Sequence, residues 1–403
     1  MNILFLTLGR LNNIEDHAMY PDLLRKFRDC GHTIYSVSPY ERRIGRNTEC
    51  RNENGLHALR VKVGNITKCG MIEKGISTIL IEYQFKKAIK RYFANVKFDL
   101  VLYSTPPITF VKVIEYIKKR DGARTYLMLK DIFPQNAVDL GMMSKSGVKG
   151  LIYKYFRRKE EHLYSVSDRI GCMSQANVDY VLKHNPEVNI SKVEVCPNCI
   201  EVQDVSLSDD AKQEMRMKYD IPTDKIVFVY GGNLGKPQGI PHIIKCLKTQ
   251  KNNSDIFFLI VGDGTEYGKL ETYFNTYKPT NIKLMKRLQK EDYDRMIAAC
   301  DVGLIFLEHR FKIPNFPSRL LAYMQARLPV LACTDSNTDI GKVIVNGGFG
   351  WWCESNDVEA FGNQVQKVVE ADLSNMGKIG FEYLNEHYTV AKTYEIINWE
   401  DIR

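Results

Sequence analysis

One stretch constrains the fold of this 403-residue chain more than any other: residues 226–240, IVFVYGGNLGKPQGI. Five apolar or β-branched residues run without alternation into two glycines, the pattern of a strand buried on both faces of a parallel sheet. Glycines permit a sharp turn there and leave no Cβ between the main chain and a ligand. The helix expected to begin near Pro241 would turn its unpaired N–H groups toward this loop, and Lys236 adds a formal charge. The loop is therefore suited to an anion such as phosphate. It is not a Walker loop, because no Gly-Lys-Ser/Thr closes it, and it lacks the G-x-G-x-x-G dinucleotide spacing. A plain tight turn also fits a Gly-Gly pair.

The loop lies just past mid-chain and opens a second β/α series. In the first series the sequence predicts strands at 3–6, 33–37, 59–63, 98–103, 125–129, 169–173 and 192–196, with helices near 17–30, 76–94, 109–119 and 149–164. In the second it predicts strands at 226–230, 256–261, 282–285, 302–306 and 330–332, helices between them and near 358–371 and 373–387, and a closing helix over 390–403. Such alternation implies α/β architecture with parallel, doubly wound sheets. The chain is too long for one core. The polar stretch 202–210 marks a boundary, giving domains 1–200 and 201–389, with the 390–403 helix packing back toward the first. Ligands of open α/β sheets sit at the carboxyl ends of strands, so two such domains facing each other would share a site in the cleft between them.

No apolar run approaches the ~20 residues that span a bilayer. The opening MNILFLTLGR reads as a core strand rather than a signal peptide, which points to a cytoplasmic protein. Ten cysteines are scattered singly, as suits reduced thiols, and the lone C-x-x-C at 196–199 lacks the second pair of a zinc site. The net charge of +8 divides into +12 over residues 1–200 and −4 over the remainder, so the first half expects a polyanionic partner.

Four stretches, LKDIFPQNAVDLGM (129–142), YGGNLGKPQGI (230–240), IVGDGTEYGKLE (260–271) and NFPSRLLAYMQARLPVLA (315–332), together resemble the family-4 glycosyltransferases of the GT-B fold. The nearest resemblance is to cytoplasmic enzymes that build capsule and O-antigen repeat units. It implies two Rossmann-like domains, a nucleotide-sugar donor of the UDP type held mainly by the second, and a lipid-linked glycan acceptor. Transfer would proceed with retention, without a metal or other cofactor. The glutamate pair of many members reads Pro314 and Ala322 here, and the usual arginine and lysine of the glycine loop read Asn233 and Gln238. Lys236 and Arg319 are the nearest charged substitutes.

The donor is thus expected against Gly231, Gly232, Asn233, Lys236 and Gln238 of the loop, and Gly262 with Asp263 and Gly264 after the next strand. Arg287 and Leu288 follow a third strand, where the resemblance implies main-chain contact to the base. Pro317, Ser318, Arg319 and Leu320 open an amphipathic helix that Ser318 could cap and whose first amides could face phosphate. Arg319 adds a planar, permanently charged donor. In the first domain, Asp131 at a strand end is a candidate to orient or deprotonate the acceptor, with Lys130 balancing its charge and His17 reaching the sugar. The one D-x-D, Asp292 and Asp294, falls in a helix and is not expected to bind metal.

Two basic segments, 80–97 with Phe85 and Phe93, and 149–164 with Lys154, Tyr155, Phe156, Arg157 and Arg158, have the composition of helices lying in an anionic membrane interface. The expected localisation is therefore the inner face of the cytoplasmic membrane. A nucleotide-sugar 2-epimerase would share the fold, and a nucleic-acid binder would share the charge, although no recognition motif for nucleic acid is present.

Overall fold

The computed structural model describes residues 1–398 apart from 10, 12 and 68. Two compact units emerge: Met1–Glu201 joined by the helix Val390–Ile397, and Val202–Thr389.

The first unit is built on eight strands: β1 (Asn2–Leu6), β2 (Thr33–Glu41), β3 (Glu49–Glu53), β4 (Leu56–Val63), β5 (Leu100–Ser104), β6 (Arg124–Leu129), β7 (Arg169–Cys172) and β8 (Val193–Val195). Their order is β3-β4-β2-β1-β5-β6-β7-β8. Ile3, Leu4, Phe5 and Leu6 are wholly buried, as the uninterrupted apolar β1 demands. Helix Met19–Asp29 turns Leu23, Leu24 and Phe27 inward. Against it lies Val390–Ile397, with Tyr394 edge-on to Phe27 at 4.8 Å. The remainder of the helix predicted over 390–403 falls outside the described residues from 399 onward.

The hairpin of β3 and β4 is the one antiparallel pair among the described residues of this sheet. Its turn, Asn54-Gly55, places both residues at positive φ, +52° and +82°, as a two-residue hairpin requires. The sequence reading misses β3, because ECRNE is a polar edge strand with no apolar period. It also places β4 late, at 59–63.

The second unit holds β9 (Ile226–Asn233), β10 (Ile256–Asp263), β11 (Ile282–Met285), β12 (Val302–Phe306), β13 (Val330–Thr334) and β14 (Gly350–Glu354), all parallel, in the order β11-β10-β9-β12-β13-β14. Edge strand β14, GWWCE, escapes the sequence reading because it opens on glycine and is half-exposed. Winding runs outward from β9 in one direction and from β12 in the other. The crevice at the carboxyl ends of β9 and β12 is therefore the topological switch point, where open α/β sheets bind ligands.

Candidate functional site

At that switch point β9 runs on through both glycines, and they have different reasons to be glycine. A Cβ on Gly231 would stand 1.7 Å from the Tyr293 hydroxyl, so this residue makes room for a neighbouring ring. Gly232 has φ +126°, which an L side chain rarely adopts, and it is exposed. A Cβ there would stand 3.7–3.8 Å from the guanidinium of Arg319. Gly262 lies beneath, where a Cβ would meet the Gly232 carbonyl at 2.0 Å; its role is the close pairing of β9 with β10.

Arg319 is fixed in place. Its guanidinium stacks 4.4 Å from the ring centroid of Tyr230, and one N–H donates to the Gly231 carbonyl at 3.1 Å. A cation over a tyrosine face gains from the ring quadrupole. Tyr323 completes the mount: its hydroxyl accepts from the Gly231 N–H at 3.2 Å and donates to the Leu304 carbonyl at 3.1 Å. A five-donor fork held half-buried beside an exposed glycine is suited to a phosphate or carboxylate.

The following loop is organised from within. Gln238, buried, accepts through Oε1 from the Gly235 N–H and from Asn233 Nδ2, each at 3.2 Å, so it shapes the loop. Lys236 is exposed at the start of the short turn Lys236–Gln238. Gly239 takes φ +64° and opens the helix Ile240–Thr249.

Sequence reasoning misses Glu308, which leaves β12 at the switch point and is 6% exposed. Its N–H donates to the Pro237 carbonyl at 2.9 Å, and its carboxylate takes Arg310 Nε at 3.0 Å and lies 2.8 Å from His309 Nδ1. The signal was available: a carboxylate directly after the apolar run VGLIFL. The ring cage of Tyr230, Tyr293 and Tyr323 had no such signal.

Two expectations at the start of the helix Arg319–Gln325 are corrected. Ser318 makes no side-chain capping bond, because helix Arg319–Gln325 begins with Ser318 already in helical conformation. Leu320 is wholly buried, and the Leu320 and Leu321 N–H groups donate to the carbonyls of Pro317 and Ser318, so those amides are taken. Arg287 and Leu288 follow the edge strand β11, two strands from β9. Asp292 and Asp294 are engaged by Lys218 at 3.1 Å and by Lys290.

In the first unit, Asp131 follows β6. The Thr105 hydroxyl ties this turn, donating to the Asp131 carbonyl at 2.9 Å and accepting the N–H groups of Lys130 and Asp131 at 3.0 Å. Burial pushes the Asp131 carboxyl up to about 6, against the lowering effect of hydrogen bonds that include Asn136 Nδ2 at 2.6 Å. Lys130 does not balance this charge; its ammonium donates to the carbonyls of Cys196 and Pro197 at 3.4 and 3.3 Å. His17, half-exposed, stands 3.3 Å from Arg25, within a cluster that Asp22 and Glu201 complete.

Of the aromatic residues expected on the exposed face of the two basic segments, Tyr155 is exposed, and Phe85, Phe93 and Phe156 are not. Phe85 and Phe93 are core residues, and Phe156 packs edge-on against Phe133 at 5.1 Å. Arg157 is spent on Glu160 and on the His184 carbonyl. Each helix nevertheless exposes an apolar stripe, and Tyr155 belongs to the second of them. Helix Met71–Tyr92 presents Ile76, Ile79, Leu80 and Tyr83, and helix Gly147–Val166 presents Val148, Leu151, Ile152 and Tyr155, each residue 41–79% exposed. Both sets repeat at i, i+3, i+4, i+7, a single helical stripe. Lys159 of the second helix pairs with Glu82 of the first at 3.3 Å, so the two helices are neighbours. No helix among the described residues is long and apolar enough to cross a membrane.

Residues 211–380 match the family described as Glycosyl transferases group 1. The chain is 26% identical over 321 residues to WbjE of Pseudomonas aeruginosa, whose name assigns it as a glycosyltransferase; the match covers 79% of this chain and 78% of WbjE. It is 22% identical over 301 residues to WcaI of Escherichia coli strain K12, whose name assigns it to glycosyl transfer in colanic acid biosynthesis, covering 73% and 69%. Anabaena HepE, solved in complex with UDP, superimposes with a TM-score of 0.68 at 13% identity, covering 98% of each chain. The second unit is thus a glycosyl transferases group 1 domain, and the chain is a glycosyltransferase of the GT-B fold.

Proposed function

We propose that the enzyme transfers a sugar, with retention at the anomeric carbon, from a UDP-type donor to a lipid-linked glycan during synthesis of a cell-surface polysaccharide of the capsule or O-antigen kind. One observation carries the donor reading: Arg319, locked over Tyr230 and beside Gly232, at the switch point of the second sheet. Fixed positive charge at that place neutralises the diphosphate as it leaves, which is where transition-state charge develops. Arg319 and Lys236 take the part a metal plays elsewhere, and Asp292 and Asp294 keep to their lysines. The UDP bound to HepE and the naming of WcaI support the donor and pathway class. Asp131 receives the acceptor hydroxyl's proton or orients that hydroxyl.

The acceptor side rests on the paired stripes of Met71–Tyr92 and Gly147–Val166. Apolar residues at helical spacing, with Lys154 and Arg158 exposed alongside, suit an anionic membrane surface, where the acceptor's lipid stays embedded. The test is transfer from UDP-sugars to a lipid-linked glycan with EDTA present, reading UDP release and the anomeric configuration of the product by NMR. An α-linked product from an α-linked donor, undiminished by EDTA, is expected; inversion, or full dependence on Mn²⁺ or Mg²⁺, would overturn the mechanism.

A further inference from the structure

Segment 308–318 joins the two parts of the second unit's site that carry positive charge. At one end the Glu308 N–H donates to the Pro237 carbonyl at 2.9 Å, within the turn that begins at Lys236. At the other end Ser318 leads straight into Arg319, the first residue of its helix. A segment anchored to both sets how Arg319 stands relative to the Lys236 turn.

The segment does not hold its own shape. It contains no helix or strand, and Pro314 and Pro317 bring no N–H to main-chain bonding. Phe311, Ile313 and Phe316 are nevertheless buried. Main-chain carbonyls drawn inward with such residues need partners, and with no ladder of their own they must find them elsewhere.

A single turn, residues 335–338 after β13, supplies two of those partners. Asn337 Nδ2 donates to the Phe311 carbonyl at 2.6 Å. The Thr338 hydroxyl, buried, donates to the Asn315 carbonyl at 2.5 Å, four residues before Arg319. Asp335, 1% exposed, shapes the turn, because its Oδ1 accepts the N–H groups of Asn337 and Thr338 at 3.0 and 3.2 Å. An aspartate that accepts from the main chain two residues on closes an Asx turn. Burial pushes this carboxyl up to about 6, against the lowering effect of those N–H groups.

We propose that Asp335, Asn337 and Thr338 are positioning residues for glycosyl transfer, which act through segment 308–318 to hold Arg319 where it meets the donor's diphosphate. The inference rests on the reading above that the diphosphate lies at Arg319, and it gives the guanidinium a second support besides the Tyr230 stack.

The test is calorimetric titration of UDP into the full-length protein and its variants, each shown by circular dichroism to be folded at the temperature used. Thr338→Val and Asp335→Ala are each expected to weaken UDP binding about five-fold, the scale of one neutral hydrogen bond. Thr338→Ser keeps the hydroxyl and Asp335→Asn keeps the accepting oxygen, so both should stay within about two-fold of wild type. In an Arg319→Ala background Thr338→Val should add nothing, because sites that act through one another are not additive. Should Thr338→Val fail to fold, Asn337→Ala, at an exposed position, takes its place in the same cycle.

A variant that melts earlier yet binds UDP as wild type does would show a role in the fold alone and overturn the proposal. The same five-fold loss with and without Arg319 also overturns it, since the effect would then bypass the guanidinium. Weakening by Arg319→Ala with none from Thr338→Val, Asp335→Ala or Asn337→Ala sinks this inference and leaves the donor reading standing. Unchanged affinity in Arg319→Ala sinks both.

Discussion

A guanidinium stacked on a tyrosine and hydrogen-bonded to a carbonyl keeps its remaining N–H groups aimed in a fixed plane, and an ammonium on a flexible stem cannot do so. Arg319→Lys is therefore expected to bind UDP nearly as poorly as Arg319→Ala, although it keeps the charge. Calorimetric recovery of wild-type affinity by lysine would show that Arg319 acts as a point charge and that the Tyr230 stack is incidental. Asp131 offers a second test at this scale. Its carboxyl is raised to about 6 by burial, so the folded chain holds a proton there that the unfolded chain has released above about 4. Stability from this group is present below pH 4 and is lost as pH rises through 6. Asp131→Asn should match wild type near pH 4 and exceed it at pH 8 by up to about 3 kcal/mol, while transfer activity falls. Urea titrations at the two pH values decide it: a constant difference between the chains would contradict the buried, raised carboxyl. If Asp131 works as the acceptor's base, wild-type activity also rises with pH through about 6.

At the level of elements, β9 is bound to the helix carrying Tyr293 through the absence of one Cβ. Gly231→Ala places a methyl where the Tyr293 hydroxyl stands, and overpacking of this kind costs about 1–3 kcal/mol. Adding Tyr293→Ala should make the loss smaller than the sum of the two single losses, because contacting sites couple; strict additivity would mean that the ring does not meet position 231. This pairing also shows what was legible. The apolar run 226–230 announces β9, and its glycines announce a special backbone, because both signals are local. Why Gly231 must be glycine is not legible, since Tyr293 arrives from a helix some sixty residues onward and looks like an ordinary helical residue. The same limit explains the basic helices. Their existence follows from composition and period, but which stripe faces out is decided by β4 and the helix Val111–Asp121, so Phe85 proves to be core and Leu80 surface. Leu80→Ser with Leu151→Ser should leave stability within about 0.5 kcal/mol, as exposed positions do, and lower binding to anionic liposomes. Sedimentation equal to wild type would remove those stripes from the membrane account.

For the molecule as a whole, charge and chemistry are divided between the units: residues 1–200 carry +12, while the remainder carries −4 and holds the site built on β9 and β12. Near an anionic surface each Lys or Arg contributes about 1 kcal/mol, acting over a Debye length of roughly 10 Å at 0.1 M salt. Liposome binding should accordingly weaken on going from 50 mM to 500 mM salt and leave a remainder carried by the apolar stripes; a salt-independent interaction would argue against the basic half. The central claim, however, concerns the second unit, where a glycosyl transferases group 1 domain mounts Arg319 on a tyrosine cage beside Gly232. The measurement closest to it is a calorimetric titration of UDP into the full-length protein and its Arg319→Ala variant, with EDTA present. Removal of a charge-assisted hydrogen-bonding group should weaken binding by about 1.5–3 kcal/mol, roughly ten- to a hundred-fold. Equal affinities in the two proteins, or binding by wild type only after a divalent ion is supplied, would contradict the account.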